Sequence, residues 1–549
     1  MQETPRRGYG YNRLLWEICT ARPFPYLAVI VLSISGMLFS VISPLIMRAL
    51  IDDVLIGKNT ALLYPLLAAM AGIFLISVLS NYLSARVKGT LYIDLYREFS
   101  CRVFAHLQQA DYASVTKFRT GDLLSRITGN VTTVVQTAIR TIPQILVIVL
   151  GIILPLSIMI SMDAVLAMVV ILPAVLFVVS SAWFGKRLKA AQRPALDAEA
   201  GIQSYLKETL PSASLIRVFG LADWAGKNYD RMFRRFTDTS VPVINLSSLS
   251  AAVTMLIYSV PTILILTLGS IAVLEGTITV GTLTAFIAYV TLFLSPVLQV
   301  ADLWNSYKTS QASYDRVAEV LELEPAAEGS VPLPPGGDGD IRFEHVGFSY
   351  DDRVILKDFN GQFSRGINYL IGENGSGKST VLKLLCRLYS PDQGRITING
   401  IDLASVRRDD LRSYVSIVFS DSLILDGSIY DNILIGNLSA TRDEVISAAA
   451  KAGLDDLVRA LPGHYDTCVG ESGHNLSSGE MQKIALARAL LRDSPVIVFD
   501  EFTRSIDEES KRSIYRVIRH LTGKTVIIVT HNMADIDEGS AIISLAKSA

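Results

Sequence analysis

Uncharged apolar stretches are the main feature of the first half of the chain. A helix that crosses a lipid bilayer needs about 20 mostly apolar residues, and six stretches of this length contain no charged side chain. They run from Tyr26 to Met47, Leu62 to Ala85, Thr141 to Met162, Ala164 to Gly185, Ala251 to Leu274 and Thr277 to Ala301. So many stretches are not expected in one soluble core, so the pattern predicts a membrane domain with six spanning helices.

Lysine and arginine are concentrated in two of the loops between these stretches. Eight lie between the second and third stretches and ten between the fourth and fifth, whereas the other connections hold only Arg48 and Lys58. Basic loops stay on the cytoplasmic side of a membrane. The sequence therefore predicts a multi-pass protein of the cytoplasmic membrane, with its N-terminus and all residues after the last span in the cytoplasm.

Both basic loops are more than 50 residues long and contain few helix breakers. Apolar residues recur at helical spacing in the first loop, as at Leu91, Leu95 and Phe99. We therefore expect helices that continue past the membrane by about 35 to 40 Å. They are predicted to turn back near residues 110–118 and 209–217.

A change in composition divides the chain after the last span. Residues 324–340 are rich in proline and glycine, which is typical of a linker. Beyond them, short apolar strands alternate with helical stretches, the pattern of an α/β domain with a largely parallel sheet. The sequence thus predicts a membrane domain over 1–323, a linker over 324–340 and a second domain over 341–549.

A glycine-rich motif lies between a predicted strand and a predicted helix of the second domain. It fits the phosphate-binding loop of nucleotide hydrolases, in which backbone N–H groups surround phosphate oxygens, the lysine reaches the β and γ phosphates and the serine hydroxyl binds Mg²⁺. The residues assigned to ATP are Gly372, Glu373, Asn374, Gly375, Ser376, Gly377, Lys378, Ser379 and Thr380. The predicted fold class is therefore an all-α membrane domain joined to an α/β P-loop NTPase.

Polar residues follow two further predicted strands of this domain. Asp500 and Glu501 end one strand, and His531 follows the other. Ligands of open α/β sheets bind at the carboxyl ends of the strands. We therefore expect Asp500, with Ser379, to hold Mg²⁺, Glu501 to act on the attacking water and His531 to hydrogen-bond the γ-phosphate.

These residues together carry a resemblance to a known family. Leu476-Ser477-Ser478-Gly479-Glu480 resembles the signature sequence of ABC transporter nucleotide-binding domains, and it lies between the phosphate loop and the acidic strand as in that family. The six spans and the stretch Thr120 to Arg126 resemble the exporter branch. The resemblance implies that ATP hydrolysis drives transport by a half-transporter, with six spans and one nucleotide-binding domain in each chain.

The same resemblance implies roles for further residues. Tyr350 would stack on adenine, and Ser477 and Gly479, flanked by Ser478 and Glu480, would close over ATP bound to a second copy of the chain. Asp507 resembles the loop through which the two sites communicate. A complete set of motifs in one chain favours a homodimer, in which the projecting loops transmit closure of the nucleotide domains to the spans.

Three features depart from the family's usual pattern. Ser420 stands where a glutamine senses Mg²⁺ and couples the site to the membrane helices, so metal affinity or coupling is expected to differ. Ser478 and Glu480 replace a usual glycine and glutamine, with activity expected to survive. Only 18 residues follow His531, so the family's C-terminal extension is expected to be missing or trimmed.

Composition limits the classes of partner that the protein can have. Half the residues are hydrophobic, the mean hydropathy is +0.39 and the net charge is −2, which suits a lipid environment and excludes a strongly basic nucleic-acid binder. The four cysteines form no CxxC pair, so reduced thiols are expected.

The cargo is indicated only by the uncharged polar residues of the spans. Their amides, hydroxyls and aromatic rings favour an amphipathic cargo such as a peptide or drug, although they could simply join helices. A lipid flippase, an importer on the exporter plan and a regulatory or heterodimeric subunit remain as alternatives.

Overall fold

The chain folds into two units. The structure is a computed structural model that describes residues 10–334, 339–351, 353–419, 423–470, 476–502, 508–531, 533, 536–537 and 539–546. The first unit comprises residues 1–108 and 119–322, and the second comprises residues 109–118 and 323–549. The short segment 109–118, predicted only as the turn of the first basic loop, therefore belongs with the second unit.

Helices form the described part of the first unit. Among the described residues, six helical segments are long and apolar enough to cross a membrane, which confirms the six predicted spans. The helices up to the linker, including the short α4 of the second unit, are α1 (Tyr11–Ala21), α2 (Pro23–Ala49), α3 (Leu63–Gln109), α4 (Tyr112–Val115), α5 (Thr120–Ser125), α6 (Val131–Met162), α7 (Ala164–Thr209), α8 (Ala213–Val218), α9 (Ala222–Leu274) and α10 (Val280–Leu321). Two π-helical segments, Leu50–Ile56 and Arg126–Asn130, extend α2 and join α5 to α6.

The helices continue beyond the apolar stretches as expected. Helices α3, α7 and α9 have 47, 46 and 53 residues, about twice the length of a single span. The chain turns back at the short helices α4 and α8, close to the predicted positions.

A single residue makes the turn between α6 and α7. Asp163 has an extended backbone, with φ −159°, and its carboxylate accepts hydrogen bonds from the N–H groups of Val165 and Leu166. This N-cap satisfies two otherwise unpaired donors at the start of α7. The two apolar stretches that Asp163 separates in the sequence therefore form a tight helical hairpin.

Some polar residues inside the spans join one helix to another. The fully buried Tyr289 donates its hydroxyl to the carbonyl oxygen of Val41 at 2.7 Å. The amide of Gln144 donates to that of Gln299. Hydrogen bonds of this kind stabilise packed helices in a membrane, so these residues contribute to packing.

Strands and short helices alternate in the second unit. The strands are β1 (Ile341–Tyr350), β2 (Arg353–Phe363), β3 (Gly366–Gly372), β4 (Gln393–Ile398), β5 (Ile401–Asp402), β6 (Val415–Val418), β7 (Gly427–Ser428), β8 (Cys468–Val469), β9 (Val496–Asp500), β10 (Thr525–Thr530) and β11 (Ala541–Leu545). The helices are α11 (Lys378–Leu385), α12 (Arg408–Tyr414), α13 (Ile429–Leu434), α14 (Arg442–Lys451), α15 (Asp455–Ala460), α16 (Ser478–Arg492) and α17 (Glu508–Arg519).

A parallel sheet forms the centre of this unit. Its strand order is β11-β3-β10-β9-β6, and an antiparallel sheet of order β2-β1-β4-β5 accompanies it. Alternate residues of β9 belong to two hydrophobic cores: Ile497 and Phe499 to one, and Val496 and Val498 to the other. A strand buried on both faces explains the uninterrupted apolar sequence from Val496 to Phe499.

Candidate active site

Glycines shape the loop between β3 and α11. Gly375 and Gly377 have φ angles of +81° and +102°, which glycine adopts without the steric cost of a β-carbon. A β-carbon on Gly372 would lie 2.6 Å from both the Ser376 hydroxyl and the carbonyl oxygen of Leu545. The backbone therefore curls tightly just before the N-terminus of α11, which is an arrangement suited to binding phosphate.

Lys378 crosses this loop from the start of α11. Its ammonium donates to the carbonyl oxygens of Gly372 at 2.8 Å and Glu373 at 3.0 Å, and its side chain is 5% exposed. The Ser376 hydroxyl is buried without a hydrogen-bond partner in the part of the chain that the structure describes. A phosphate oxygen would satisfy that hydroxyl, so the residues present fit a nucleotide's phosphate chain.

The remaining residues assigned to the loop lie around it. Glu373 and Asn374 are exposed at its outer side, and Thr380 is buried in the first turn of α11. Ser379 is exposed, and its hydroxyl is close enough to the Asp500 carboxyl to lower the pKa of that group. The two predicted Mg²⁺ ligands thus meet, and a hydroxyl beside a carboxylate is a donor set that Mg²⁺ accepts.

Parallel pairing brings the predicted acids and the phosphate loop to one sheet edge. Asp500 is in register with Val529 of β10, and Thr530 is in register with Ile371 of β3. Since Gly372 ends β3 and His531 follows β10, all three strand ends meet there. The edge predicted from the sequence to hold these residues is formed.

The environment of Asp500 is largely closed to solvent. The residue is 9% exposed. Burial, reinforced by the neighbouring charge of Glu501, raises the pKa of the Asp500 carboxyl, while Lys378 and Ser379 oppose the rise. A cation at this carboxylate would relieve the burial cost of its charge.

Glu501 is held in an unusual backbone conformation. Its φ angle is +42°, and its N–H donates to the carbonyl oxygen of Val529 at 3.2 Å. Its carboxylate lies 3.8 Å from the Lys378 ammonium and 4.0 Å from Nδ1 of His531. A left-handed conformation in a residue with a side chain stores strain and is common at functional sites. The strand end thus presents Glu501 between the lysine and the imidazole.

Tyr350 lies at the end of β1 among other aromatic side chains. Its ring meets those of Phe348 and Tyr389 nearly at right angles, with centroids 4.9 and 5.2 Å apart. The ammonium of Lys383, on α11, is 5.7 Å from the Tyr350 ring centroid. The ring is therefore next to the helix that begins at the phosphate loop.

The signature residues form the start of α16. The Ser477 hydroxyl accepts from the N–H of Glu480, and the Glu480 carboxylate accepts from both the N–H and the hydroxyl of Ser477, at 2.7 and 2.8 Å. This reciprocal capping box fixes the helix start. Ser478 opens the helix, and Gly479 is buried within its first turn.

Two predicted site residues, Ser420 and Asp507, lie outside the described residues. The strand before Ser420 is β6, whose last residue, Val418, is in register with Phe499 of β9. The chain therefore leaves β6 at the edge where Asp500 lies.

The sequence did not single out Arg488, a partly buried residue of α16. Its guanidinium donates to the carbonyl oxygens of Leu423 and Asn432 and to the Asn432 side chain. Burial lowers the pKa of Arg488. This arginine joins the signature helix to the segment after Ser420; because its partners are distant in sequence, no local pattern could identify it.

Comparisons with known proteins agree with this architecture. A model of the ABC transporter transmembrane region matches residues 26–297, and an ABC transporter model matches residues 356–504. YgaD of Bacillus subtilis (strain 168), named as a candidate multidrug export ATP-binding/permease protein, is 29% identical over 514 residues, 91% of this chain and 88% of that protein. Both halves of the chain are thus matched in relatives of similar length.

Two further comparisons concern a relative and a solved structure. A fatty acid ABC transporter ATP-binding/permease protein of Mycobacterium bovis is 30% identical over 426 residues, 77% of this chain and 68% of that protein. The solved structure of a bacterial Atm1-family ABC exporter with ATP bound shares the fold, with a TM-score of 0.80 at 23% identity, over 96% of this chain and 94% of that one. The chain therefore belongs to the ABC transporter family, as an exporter-type half-transporter whose ATPase domain binds ATP and couples its hydrolysis to transport.

Proposed function

We propose that the protein is a homodimer in the cytoplasmic membrane that exports an amphipathic solute, such as a peptide, a drug or a similar natural product. The observation that supports this class of cargo is a groove of about 540 Å³ along α9. Its volume lies within the roughly 300 to 1,000 Å³ of sites for drug-sized ligands. The nucleotide-binding domain would lie in the cytoplasm, as the basic loops predict.

The lining of the groove combines hydroxyl groups with apolar side chains. Hydroxyls come from one face of α9, at Ser247, Ser250, Thr254 and Tyr258. The apolar part comes from Ala251, Met255 and Leu298. No charged side chain is among the described residues of the lining. Neutral donors and acceptors beside apolar surface would bind a solute that has both kinds of group and no obligatory charge.

Hydrolysis would depend on the residues at the sheet edge. In this proposal the backbone of Gly372–Gly377 binds the phosphates, and Lys378 exchanges its carbonyl contacts for phosphate oxygens. Glu501 orients and deprotonates the attacking water, and His531 holds that water near the γ-phosphate. Ser379 and Asp500 would hold Mg²⁺, which neutralises phosphate charge.

The second cytoplasmic turn supports assembly with another copy. Around α8, Leu210, Leu215, Val218 and Phe219 are each more than half exposed. In contrast, the first turn packs within its own second unit, where Tyr112 contacts Tyr389. Exposed apolar clusters of this kind are typical of interaction surfaces, and a partner's nucleotide domain would cover this one.

In the dimer, Ser477 and Gly479 of one copy would close over ATP bound to the other, next to Ser478 and Glu480. By the family resemblance, Asp507 would belong to the loop through which the two sites communicate. Closure with ATP and opening after hydrolysis would then alternate the spans between inward-facing and outward-facing states.

An acyl-chain cargo is the second candidate. The M. bovis relative is named for fatty acids, and three of the seven residues lining the groove are apolar. Lipid or fatty acid would use the apolar part of the groove and leave most of its hydroxyls without a partner, which makes this cargo less suitable.

The test is Mg²⁺-dependent ATP hydrolysis by the protein in lipid vesicles, with peptides, drugs and fatty acids added as separate panels. We expect stimulation by a peptide or drug, and its reduction in Tyr258→Phe and Thr254→Val. Stimulation by fatty acids alone would overturn the proposed cargo in favour of the second candidate. Glu501→Gln should lower hydrolysis by about 100-fold or more while leaving ATP binding intact.

Ser420→Gln tests the regulatory alternative separately. In an active pump, this substitution should leave hydrolysis in place and change its dependence on Mg²⁺. An unmodified protein without hydrolysis that gains it with Ser420→Gln would instead indicate a regulatory or heterodimeric subunit.

A further inference from the structure

Tyr389 connects two parts of the second unit that are far apart in sequence. It follows α11, and its ring meets Tyr350 with a centroid distance of 5.2 Å and Tyr112 with a centroid distance of 5.6 Å, both nearly at right angles. Its hydroxyl is 3.3 Å from the hydroxyl of Thr116. One side chain therefore contacts both Tyr350, which lies beside α11, and the first cytoplasmic turn.

The turn is anchored to the start of the linker. The N–H of Asp111 donates to the carbonyl oxygen of Glu324 at 3.0 Å, and the N–H of Ala326 donates to that of Gln109 at 2.9 Å. Within the turn, the Asp111 carboxylate accepts from the N–H of Ser114. These hydrogen bonds protect specific amides, so a change in the turn's stability is measurable by hydrogen exchange.

The other end of the path is next to α11, the helix that begins at the phosphate loop. Lys383 of α11 lies 5.7 Å from the Tyr350 ring and 6.0 Å from the Tyr389 ring. The Tyr350 hydroxyl is buried and has no hydrogen-bond partner among the residues that the structure describes. Aromatic contacts rather than a hydrogen bond therefore set the position of Tyr350.

We propose that Tyr389 is a positioning residue that couples the placement of the Tyr350 ring to the stability of the turn from Asp111 to Phe118. This inference rests on the proposed function and on the role that the family resemblance implies for Tyr350, which is to stack on the nucleotide base. Binding of the base restricts the motion of the Tyr350 ring. Through the edge-to-face contact, it also restricts the motion of the Tyr389 ring. Tyr389 then holds Tyr112 and Thr116 more firmly.

The expected size of the coupling follows from the contacts. An edge-to-face aromatic pair changes an equilibrium constant by about two- to tenfold. Opening of the turn should therefore become less frequent by about this factor when a nucleotide binds. Removal of the Tyr389 ring should abolish that change, whereas removal of its hydroxyl alone should leave most of it.

The experiment is hydrogen exchange of the full chain in lipid, with and without Mg²⁺ and a non-hydrolysable ATP analogue. In the unmodified protein, peptides covering residues 372–380 and 109–118 should both gain protection. In Tyr389→Leu, the first peptide should still gain protection and the second should not. Tyr389→Phe should retain the response at both, with a smaller one at the turn.

Tyr465→Leu is the matched control, because Tyr465 is also a partly buried tyrosine of this unit, packed against a different core. Its response should match that of the unmodified protein. Should Tyr389→Leu fail to fold or bind, Tyr112→Ala interrupts the same path at its other end and should lose only the response of the turn. A full response of residues 109–118 in Tyr389→Leu, or in Tyr112→Ala, would overturn the inference.

The unmodified protein separates this inference from the function on which it rests. Without protection of residues 372–380, the proposed nucleotide site itself would be wrong. Protection of residues 372–380 without any at residues 109–118 would leave that site supported and refute the coupling through Tyr389.

Discussion

At the scale of single residues, Glu480 places a negative charge where the proposed dimer brings a phosphate. Its carboxylate accepts the N–H and the hydroxyl of Ser477 at 2.7 and 2.8 Å. The hydroxyl that would contact the partner's nucleotide is therefore engaged by an anion. In the proposed dimer, closure over ATP would require this hydroxyl to turn away from Glu480 while the carboxylate and the phosphate, both negative, approach each other.

Glu480→Gln should therefore lower the KM for ATP, by about three- to tenfold, because removing one of two nearby like charges removes their repulsion. The amide oxygen can still accept the Ser477 N–H, so the helix start is retained. Glu444→Gln is the control, since Glu444 and Thr441 form the same capping box at the start of α14. Equal shifts of KM in the two variants would contradict the prediction.

At the scale of helices, the start of α10 is fixed against the end of α2. The Asp52 carboxylate accepts from the N–H of Gly281 at 2.8 Å and from the hydroxyl of Thr279. Thr279 also caps α10 by accepting from the N–H of Thr282. This close approach leaves no room for a side chain at Gly281, whose added β-carbon would lie 2.6 Å from the carbonyl oxygen of Arg48.

Gly281→Ala should lower the stability of the membrane domain by about 1 to 3 kcal/mol, since backbone atoms must move. The measurement is the midpoint of thermal unfolding in detergent. Gly226→Ala, in α9, is the control: its β-carbon would meet nothing within 4 Å, so the gain in helix propensity should leave stability equal or higher. Equal midpoints for Gly281→Ala and the unmodified protein would contradict the prediction, because α2 and α10 could then move apart at this contact without a loss of stability.

A buried arginine joins α5 to α10 near the end of α10 that leads into the linker. Arg126 donates to Asp122 at 2.8 Å and to Glu319 at 2.6 Å, and its side chain is 9% exposed. It also donates to the carbonyl oxygen of Arg316. Because Glu319 lies near the end of α10, the guanidinium holds the last turns of that helix before the linker.

Arg126→Met should destabilise the membrane domain by about 2 kcal/mol, less than for a fully buried pair because both carboxylates are partly exposed. Arg234→Met is a matched control, since Arg234 forms the same i,i+4 pair with Asp230 at 2.8 Å on an exposed surface. That loss should stay below about 0.5 kcal/mol. The thermal unfolding midpoints of the two variants give the two losses of stability. Similar losses would contradict the prediction that the buried Arg126 contributes more to stability than the exposed Arg234.

At the scale of the whole molecule, the features visible in the sequence are those that local physics requires. The six spans are visible because lipid excludes charge over about 20 residues, and the phosphate loop because Gly375 and Gly377 must adopt positive φ angles. The meeting of Asp500 with the loop could be predicted from the rule for parallel strands. These inferences need no knowledge of distant contacts.

The features that the sequence did not reveal depend on such contacts. Thr116 and Tyr389 are 273 residues apart, and nothing near either residue indicates that they meet. The placement of residues 109–118 in the second unit has the same cause. The sequence shows that Glu480 is an unusual residue for its position. Its hydrogen bonds to Ser477 became clear only from the structure, which shows where α16 begins.

The proposed dimer makes a prediction that belongs to the assembly alone. If each site combines Glu501 of one copy with Ser477 of the other, a dimer of one Glu501→Gln chain and one Ser477→Arg chain keeps one intact site. The two separate homodimers keep none. Two affinity tags isolate the mixed dimer, and its ATP hydrolysis in lipid should exceed that of either homodimer.

A second mixed dimer reverses this logic. A chain with both substitutions, paired with an unmodified chain, has no intact site if sites are shared, because each site then contains one altered residue. If each chain instead completed its own site, this dimer would keep one working site and the first mixed dimer would have none. With shared sites, the first mixed dimer should hydrolyse ATP faster than the second, and with unshared sites the order should be reversed. The proposed assembly requires the first mixed dimer to be the active one.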